Sequence, residues 1–200
     1  MGGHTCSRAS RGVDGGLQED FEQGVLLFLA FNNGHTLRMS RDVRSIANFV
    51  LDLADASGHR ISNLSINKIV YFLHANYLAK FDRPLVSAKI EAWEYGPVFR
   101  ELYREFKKFG DRPITERAHR IDPATGELEL CRYEFSEADS MFLNSVALDY
   151  VRMSVKKLLD MSHVSGGPWD QVWNHSTLGR ASMSISDDLI KAWHRGAQRH

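Results

Sequence analysis

From Arg41 onward the apolar residues recur with the period of an α-helix, and this repeat confines the chain to a mainly helical fold. Val43, Ile46, Ala47, Val50, Leu53 and Ala54 fall at three-and-four spacing, and Gly58 supplies a helix stop. A second helix is expected to open near Asn63 or Ser65. Its stripe runs through Ile66, Ile69, Val70, Leu73 and Tyr77, and Pro84 closes it. Between Lys89 and Tyr95 the pattern changes to alternation of charge with bulk, which reads as a half-buried strand. Gly96-Pro97 is expected to turn the chain, with Pro97 at the first position of a helix carrying Val98, Leu102, Phe106 and Phe109 and stopping at Gly110.

The second half of the chain repeats these signals. Asp122-Pro123-Ala124-Thr125-Gly126, between His119-Arg120-Ile121 and Leu128-Glu129-Leu130, reads as a hairpin with a loop longer than the tight two-residue type. Ser136 with Asp139 three residues on resembles a capping arrangement, with Asp in the place of the usual Glu. One long helix is expected behind it, through Met141, Leu148, Val151, Val155 and Leu158, interrupted only by Asn144. A loop then spans Ser165-Gly166-Gly167-Pro168-Trp169. A last helix begins near Ser186, with Asp187 and Asp188 favourably placed in its first turn. The expected fold class is therefore mainly α, of the α+β kind: a compact helical domain with a small antiparallel sheet or hairpin.

Residues 1–40 read differently. Glycines and serines dominate their first part, a composition that buries little and suits a flexible leader. The apolar run from Val25 to Phe31 is far shorter than the roughly 20 residues of a membrane span. Glu19, Asp20 and Glu22 before it, and Asn32-Asn33-Gly34-His35 after it, do not match a signal peptide. Met39 offers a second start, which would place the leader upstream of the true beginning. The domain boundaries expected are a leader at 1–40 and one domain at 41–196.

Charge excludes one class of function. Lys and Arg total 25 and Asp and Glu total 25, so the formal net charge is zero. A whole-chain electrostatic grip on nucleic acid or an anionic membrane needs a basic surplus, so both partners are disfavoured. Locally, residues 100–120 hold seven basic and four acidic side chains. The acids are interspersed, as on a solvated helix face; a DNA-binding repressor using this region is the alternative. Cys6 and Cys131 lie far apart and match no metal or redox spacing, which makes a reducing cytoplasm the default location.

Sites of chemistry are sparse. No pair of the nine histidines has the four-residue spacing of a zinc-binding helix. His163, Asp170 and His175 flank the Gly-Gly-Pro-Trp loop and define a metal-dependent hydrolase alternative. A loop packed by Trp169 and Trp173, with histidines bonded to backbone, explains the same residues more simply. His74 reads as a satisfied helix residue. No nucleophile elbow and no phosphate loop is present, and Cys131 has no base nearby, so neither a catalytic residue nor a cofactor is expected. The aromatic group Trp93, Tyr95, Phe99 and Tyr103 surrounds the Gly96-Pro97 turn. Alternation would put Trp93 and Tyr95 on one face, where they serve either as core or as interface anchors.

Three ordered motifs carry a resemblance. The first is Asn67-Lys68-Ile69-Val70-Tyr71-Phe72-Leu73-His74-Ala75-Asn76-Tyr77-Leu78-Ala79. Next, after Arg83-Pro84-Leu85, comes Ile90-Glu91-Ala92-Trp93-Glu94-Tyr95-Gly96-Pro97-Val98, with Leu102-Tyr103-Arg104-Glu105-Phe106 beyond it. Near the end stand Ser162-His163 and Gly167-Pro168-Trp169. From about Arg41 to about Trp193 the chain resembles the Panacea-domain, or SocA-like, antitoxin family of bacteria and their mobile elements. The resemblance implies a non-enzymatic protein that binds and neutralises a toxin encoded beside it. In the SocA branch such a protein also delivers the toxin to a ClpXP-type protease. Family features carried over are Lys68, Tyr71, Trp93, Tyr95, Gly96, Pro97, Pro168 and Trp169, and the residues expected to bind the partner are Lys68, Tyr71, Trp93, Tyr95, Pro97, Tyr103 and Trp169. The family's usual Thr or Ser pair before the histidine stands here as Met161-Ser162, and no appended DNA-binding domain is apparent.

Overall fold

Ser40 begins the second of two units into which the chain divides, and every element among the described residues lies beyond it. The computed structural model describes Met1, residues 40–174 and residues 183–197. Except for Met1 and Ser40, the expected leader at 1–40 and its apolar run lie outside the described residues. Among them are seven α-helices and five strands, a mainly α fold with small antiparallel sheets. No helix among the described residues is long and apolar enough to cross a membrane.

Helix α1 (Val43–Ala56) starts where the Asp42 carboxylate accepts the Arg44 N–H at 2.9 Å. Helix α2 (Asn63–Phe81) starts where the Ser62 hydroxyl accepts the Ser65 N–H, a side-chain oxygen satisfying an otherwise orphaned donor in each case. Helix α2 is the centre of the domain. Ile66, Ile69, Val70, Leu73 and Tyr77 are buried as their spacing indicates, but so are Asn63, Asn67, Lys68 and His74 on its other faces. Five other helices and one strand pack around it.

Strands β1 (Ile90–Trp93) and β2 (Gly96–Phe99) form an antiparallel hairpin, with Trp93 opposite Gly96 and Ile90 opposite Phe99. The turn is therefore Glu94-Tyr95, two residues earlier than the Gly96-Pro97 dipeptide suggests. Pro97 lies in a strand and does not open a helix. Helix α3 (Arg100–Phe106) begins after Phe99 and tightens into a 3₁₀ turn at Lys107–Phe109 before Gly110. The residues β3 (His119–Ile121) and β4 (Leu128–Leu130) pair as the expected second hairpin. Asn48 of α1 ties down its base, donating to Ala118 O and Cys131 O and accepting the Ala118 N–H.

The expected long helix is two. Helix α4 (Glu137–Val151) ends before Arg152, and Ser154 caps a new helix, α5 (Val155–Ser162), through the Lys157 N–H. The buried stripe of α4 is Asp139, Leu143, Ala147 and Val151. Met141 is exposed, and Asn144 faces outward and bonds Ser140 rather than interrupting a core. The last turn of the Gly-Gly-Pro-Trp segment is itself a short helix, α6 (Pro168–Trp173), with Pro168 at its start, where a missing N–H costs nothing. After it come β5 (Ser184–Ile185), which pairs with β1 to complete a sheet of order β2-β1-β5, and α7 (Asp187–Ala197). Neither α6 nor β5 was expected, because two-to-six-residue elements carry almost no periodicity.

Asp139 ties distant segments together. Its buried carboxylate accepts Arg41 at 2.7 Å, the Tyr77 hydroxyl at 2.8 Å and Arg83 at 3.1 Å, while the Ser136 hydroxyl caps its N–H. Burial by itself would raise its pKa; the Tyr77 and Arg41 bonds outweigh this and hold the carboxyl below the usual range. A depressed pKa contributes stability that is present above the unfolded value and lost as pH falls through the folded one. Asp139→Asn should lower the unfolding free energy at pH 7 by about 2 kcal/mol, the loss of charge-assisted bonds to the half-buried Arg41 and Arg83 guanidiniums. The difference between variant and wild type should shrink below about pH 4, measured by urea unfolding across pH.

Candidate partner-binding surface

The β1–β2 hairpin is held in place by the first two turns of α2. In a hairpin with this register, the peptide groups of Pro97 and Phe99 point away from β1. They meet side chains instead of a further strand. Lys68 Nζ donates to Pro97 O at 2.8 Å, and Phe99 N–H donates to Asn67 Oδ1 at 3.1 Å. Proline fits this edge because its own missing N–H needs no partner. Asn67 Nδ2 in turn donates to Asn63, and Asn63 Nδ2 donates to Tyr103 O at 3.1 Å, so the same ladder also places α3.

Gly96 makes this seat possible. Its φ is +91°, and a Cβ there would lie 2.7 Å from Ser162 Oγ and 3.0 Å from both Cε and Nζ of Lys68. Only glycine tolerates both the backbone conformation and the approach. With the turn so placed, Tyr95 projects outward and is 60% exposed, while Trp93 is half-buried. Strand alternation ends at Trp93, so the expected pairing of Trp93 and Tyr95 on one strand face gives way to a turn residue beside a strand residue. The Trp93 indole N–H donates to Glu91 at 2.9 Å, and Arg100 donates to the same carboxylate at 2.8 Å. Burial would raise the Glu91 pKa, but these bonds leave it lowered. The Trp93 ring meets Tyr103 edge-on at 5.0 Å.

The seven expected partner-binding residues separate into two sets. Lys68, Tyr71, Pro97 and Trp169 are buried. Tyr71 packs on Phe72, and burial pushes its phenol well above the usual range. Trp169 lies between His163 and Trp173 and donates its indole N–H to Trp93 O at 2.8 Å, which fixes the other side of the hairpin. Trp93, Tyr95 and Tyr103 instead line an open groove of about 590 Å³, floored by Leu64, Val98 and the Asn63–Asn67 pair. Lys107 and Asp111 complete its rim. The sequence does not single out Leu64, and it marks Asn63, Val98, Lys107 and Asp111 only as helix positions or local charge; the available signal is the polar pair Asn63 and Asn67, four apart on one helix.

The two alternative sites are differently built. His163 Nδ1 bonds Leu159 O at 2.8 Å, and Asp170 accepts the Gly166 N–H at 2.8 Å and the Asn174 amide. His175 lies outside the described residues, and among those described no group of three or more ligating side chains could hold a metal. Within residues 100–120, Arg100 pairs with Glu91, Lys108 with Glu116, Arg117 with Asp52 and Asp55, and Arg120 with Glu129. These pairs neutralise most of the local surplus.

Lys68 has a measurable consequence. It is completely buried, and desolvation brings its pKa down to about 7. Between pH 7 and about 8 the unfolded chain therefore binds more protons than the folded one, so stability should rise with pH, by about 1 kcal/mol over that unit. Lys68→Met should flatten the rise. Chemical unfolding of both chains at pH 7 and 8, below the titration of ordinary thiols and phenols, tests this.

Comparison with known proteins agrees with the ordered motifs. A family model described as "Antitoxin SocA-like, Panacea domain" matches residues 66–170, which run from α2 through the hairpin to the start of α6. The chain is 38% identical over 154 residues to Antitoxin SocA of Caulobacter vibrioides (strain NA1000 / CB15N), covering 76% of this chain and 81% of that protein. No solved structure matches. The ordered motifs, the matched domain and this relative together place the chain in the SocA-like, Panacea-domain antitoxin family, to which it belongs.

Proposed function

We propose that this protein is the antitoxin of a toxin–antitoxin pair and neutralises its cognate toxin by binding it directly. The observation that carries the reading is its likeness to Antitoxin SocA over most of both chains. A binding protein of this kind needs a stable scaffold and a few desolvated anchors, and Tyr and Trp are the usual anchors of protein interfaces. In this reading Trp93, Tyr95 and Tyr103 contact the toxin. Lys68, Tyr71, Pro97 and Trp169 act beneath them, holding the hairpin that presents the aromatics. The finer step, delivery of the toxin to a ClpXP-type protease, follows the SocA branch of the family. An antitoxin acts where its toxin is made, so the reading places the protein in the cytoplasm.

Co-expression tests the role. The gene beside this one should be toxic when expressed alone, and this chain should restore growth and co-purify with the product; failure of both rejects the reading. Tyr95→Ala should leave thermal unfolding unchanged, since the side chain is mostly solvated, yet weaken toxin binding by about 2 kcal/mol, roughly thirtyfold. Purified ClpXP with ATP should degrade the toxin only when this chain is present.

A further inference from the structure

The groove beside the hairpin carries rim charges that no neighbouring side chain engages among the described residues. On the neighbouring surface, Arg100, Lys108 and Arg117 are each taken up by a carboxylate. Glu94 and Asp111 on the groove rim make no ion pair or side-chain hydrogen bond among the described residues. The same holds for Lys107, although Asp111 lies four residues beyond it. The rim therefore has two unengaged carboxylates against one ammonium, next to the exposed aromatics Tyr95 and Tyr103 and the half-buried Trp93.

Aromatic faces attract cations. A guanidinium is planar and weakly hydrated, stacks on such faces and bonds carboxylates in a forked geometry. An ammonium is a compact, strongly hydrated point charge that stacks poorly. Volume adds a second constraint. At about 590 Å³ the groove lies within the range of about 300–1,000 Å³ typical of ligand sites, and Leu64 and Val98 give its floor an apolar part beside the Asn63–Asn67 pair. Phosphate is disfavoured, because the rim carboxylates would repel it.

We propose that this groove accepts an arginine side chain borne on an apolar segment of a partner protein. The proposal rests on the antitoxin reading, in which that partner is the toxin. The guanidinium stacks on the Tyr95–Trp93–Tyr103 cluster and is held by Glu94 and Asp111, while flanking apolar residues cover Leu64 and Val98.

The test uses the full chain, labelled with nitrogen-15, and the peptide acetyl-Leu-Arg-Leu-amide as probe. Binding should move the Trp93 indole N–H signal and the Gly110 and Asp111 amides, with a Kd of about 1 mM. The counterpart with glutamate in place of arginine should bind at least about tenfold weaker, a difference of about 1.4 kcal/mol. Glu94→Gln with Asp111→Asn should abolish the preference for arginine without changing thermal unfolding, as both side chains are exposed. Equal binding of the two peptides, a preference that survives the double substitution, shifts centred away from the groove, or no binding by the wild type would each overturn the proposal. Tighter binding of a single-stranded oligonucleotide than of the arginine peptide would overturn it too. Toxin neutralisation is read separately. A chain that rescues growth but shows no arginine preference loses this inference alone; a chain that fails to rescue loses the antitoxin reading, whatever the peptides do.

Discussion

A helix buried on every side can keep polar side chains only if each finds a partner, since an unsatisfied buried polar group costs about 1–3 kcal/mol. Helix α2 is in that position, and its polar residues organise the domain. Asn67 and Lys68 reach the edge of the hairpin. His74 bonds Asp187 at the start of α7 and accepts the Val86 N–H. Tyr77 reaches Asp139 at the start of α4. Each contact joins α2 to a segment remote in sequence. Among the described residues no buried side-chain nitrogen or oxygen lacks a hydrogen-bond partner. Apolar burial supplies the larger favourable energy, but it is non-directional. The polar contacts determine which element lies where.

The hairpin shows how this framework presents the candidate binding surface. Glycine at position 96 lets the strand approach Lys68 and Ser162, and the turn before it thereby thrusts Tyr95 into solvent. Trp169 holds the opposite side through the Trp93 carbonyl. A turn on a seat this well tied has little backbone freedom left to lose on binding, which favours affinity. The zero net charge of the chain fits the same picture. Among the described residues many surface charges are paired, and in the proposed reading those on the groove rim are left to orient a partner.

Long elements were legible in the sequence because burial repeats along them. The stripes of α1 and α2, the hairpin at 119–130 and the capping serine of α4 stand where their patterns put them. The break between α4 and α5 was hidden because Val155 and Leu158 continue an apolar spacing across it, and because Met141, exposed, stood in for Leu143. The position of the turn was misread for a related reason: Gly-Pro is a common turn dipeptide, yet here the glycine follows the turn and the proline occupies an unpaired strand edge. As for the candidate surface, the aromatic residues could be named in advance, but their division into buried supports and exposed anchors could not.

By itself, then, the sequence determined a mainly helical fold, a family, and the ordered motif residues on either side of the Gly96-Pro97 dipeptide. Periodicity and ordered motifs are local, so they survive in one dimension. Only the tertiary structure decided that β5 would complete the sheet, that Lys68 would be buried against a carbonyl with no acid on its amine among the described residues, and that Trp93, Tyr95 and Tyr103 would share a groove with Glu94, Lys107 and Asp111. Those outcomes depend on which distant segments pack together, and burial of one side chain is set by neighbours that no local pattern records.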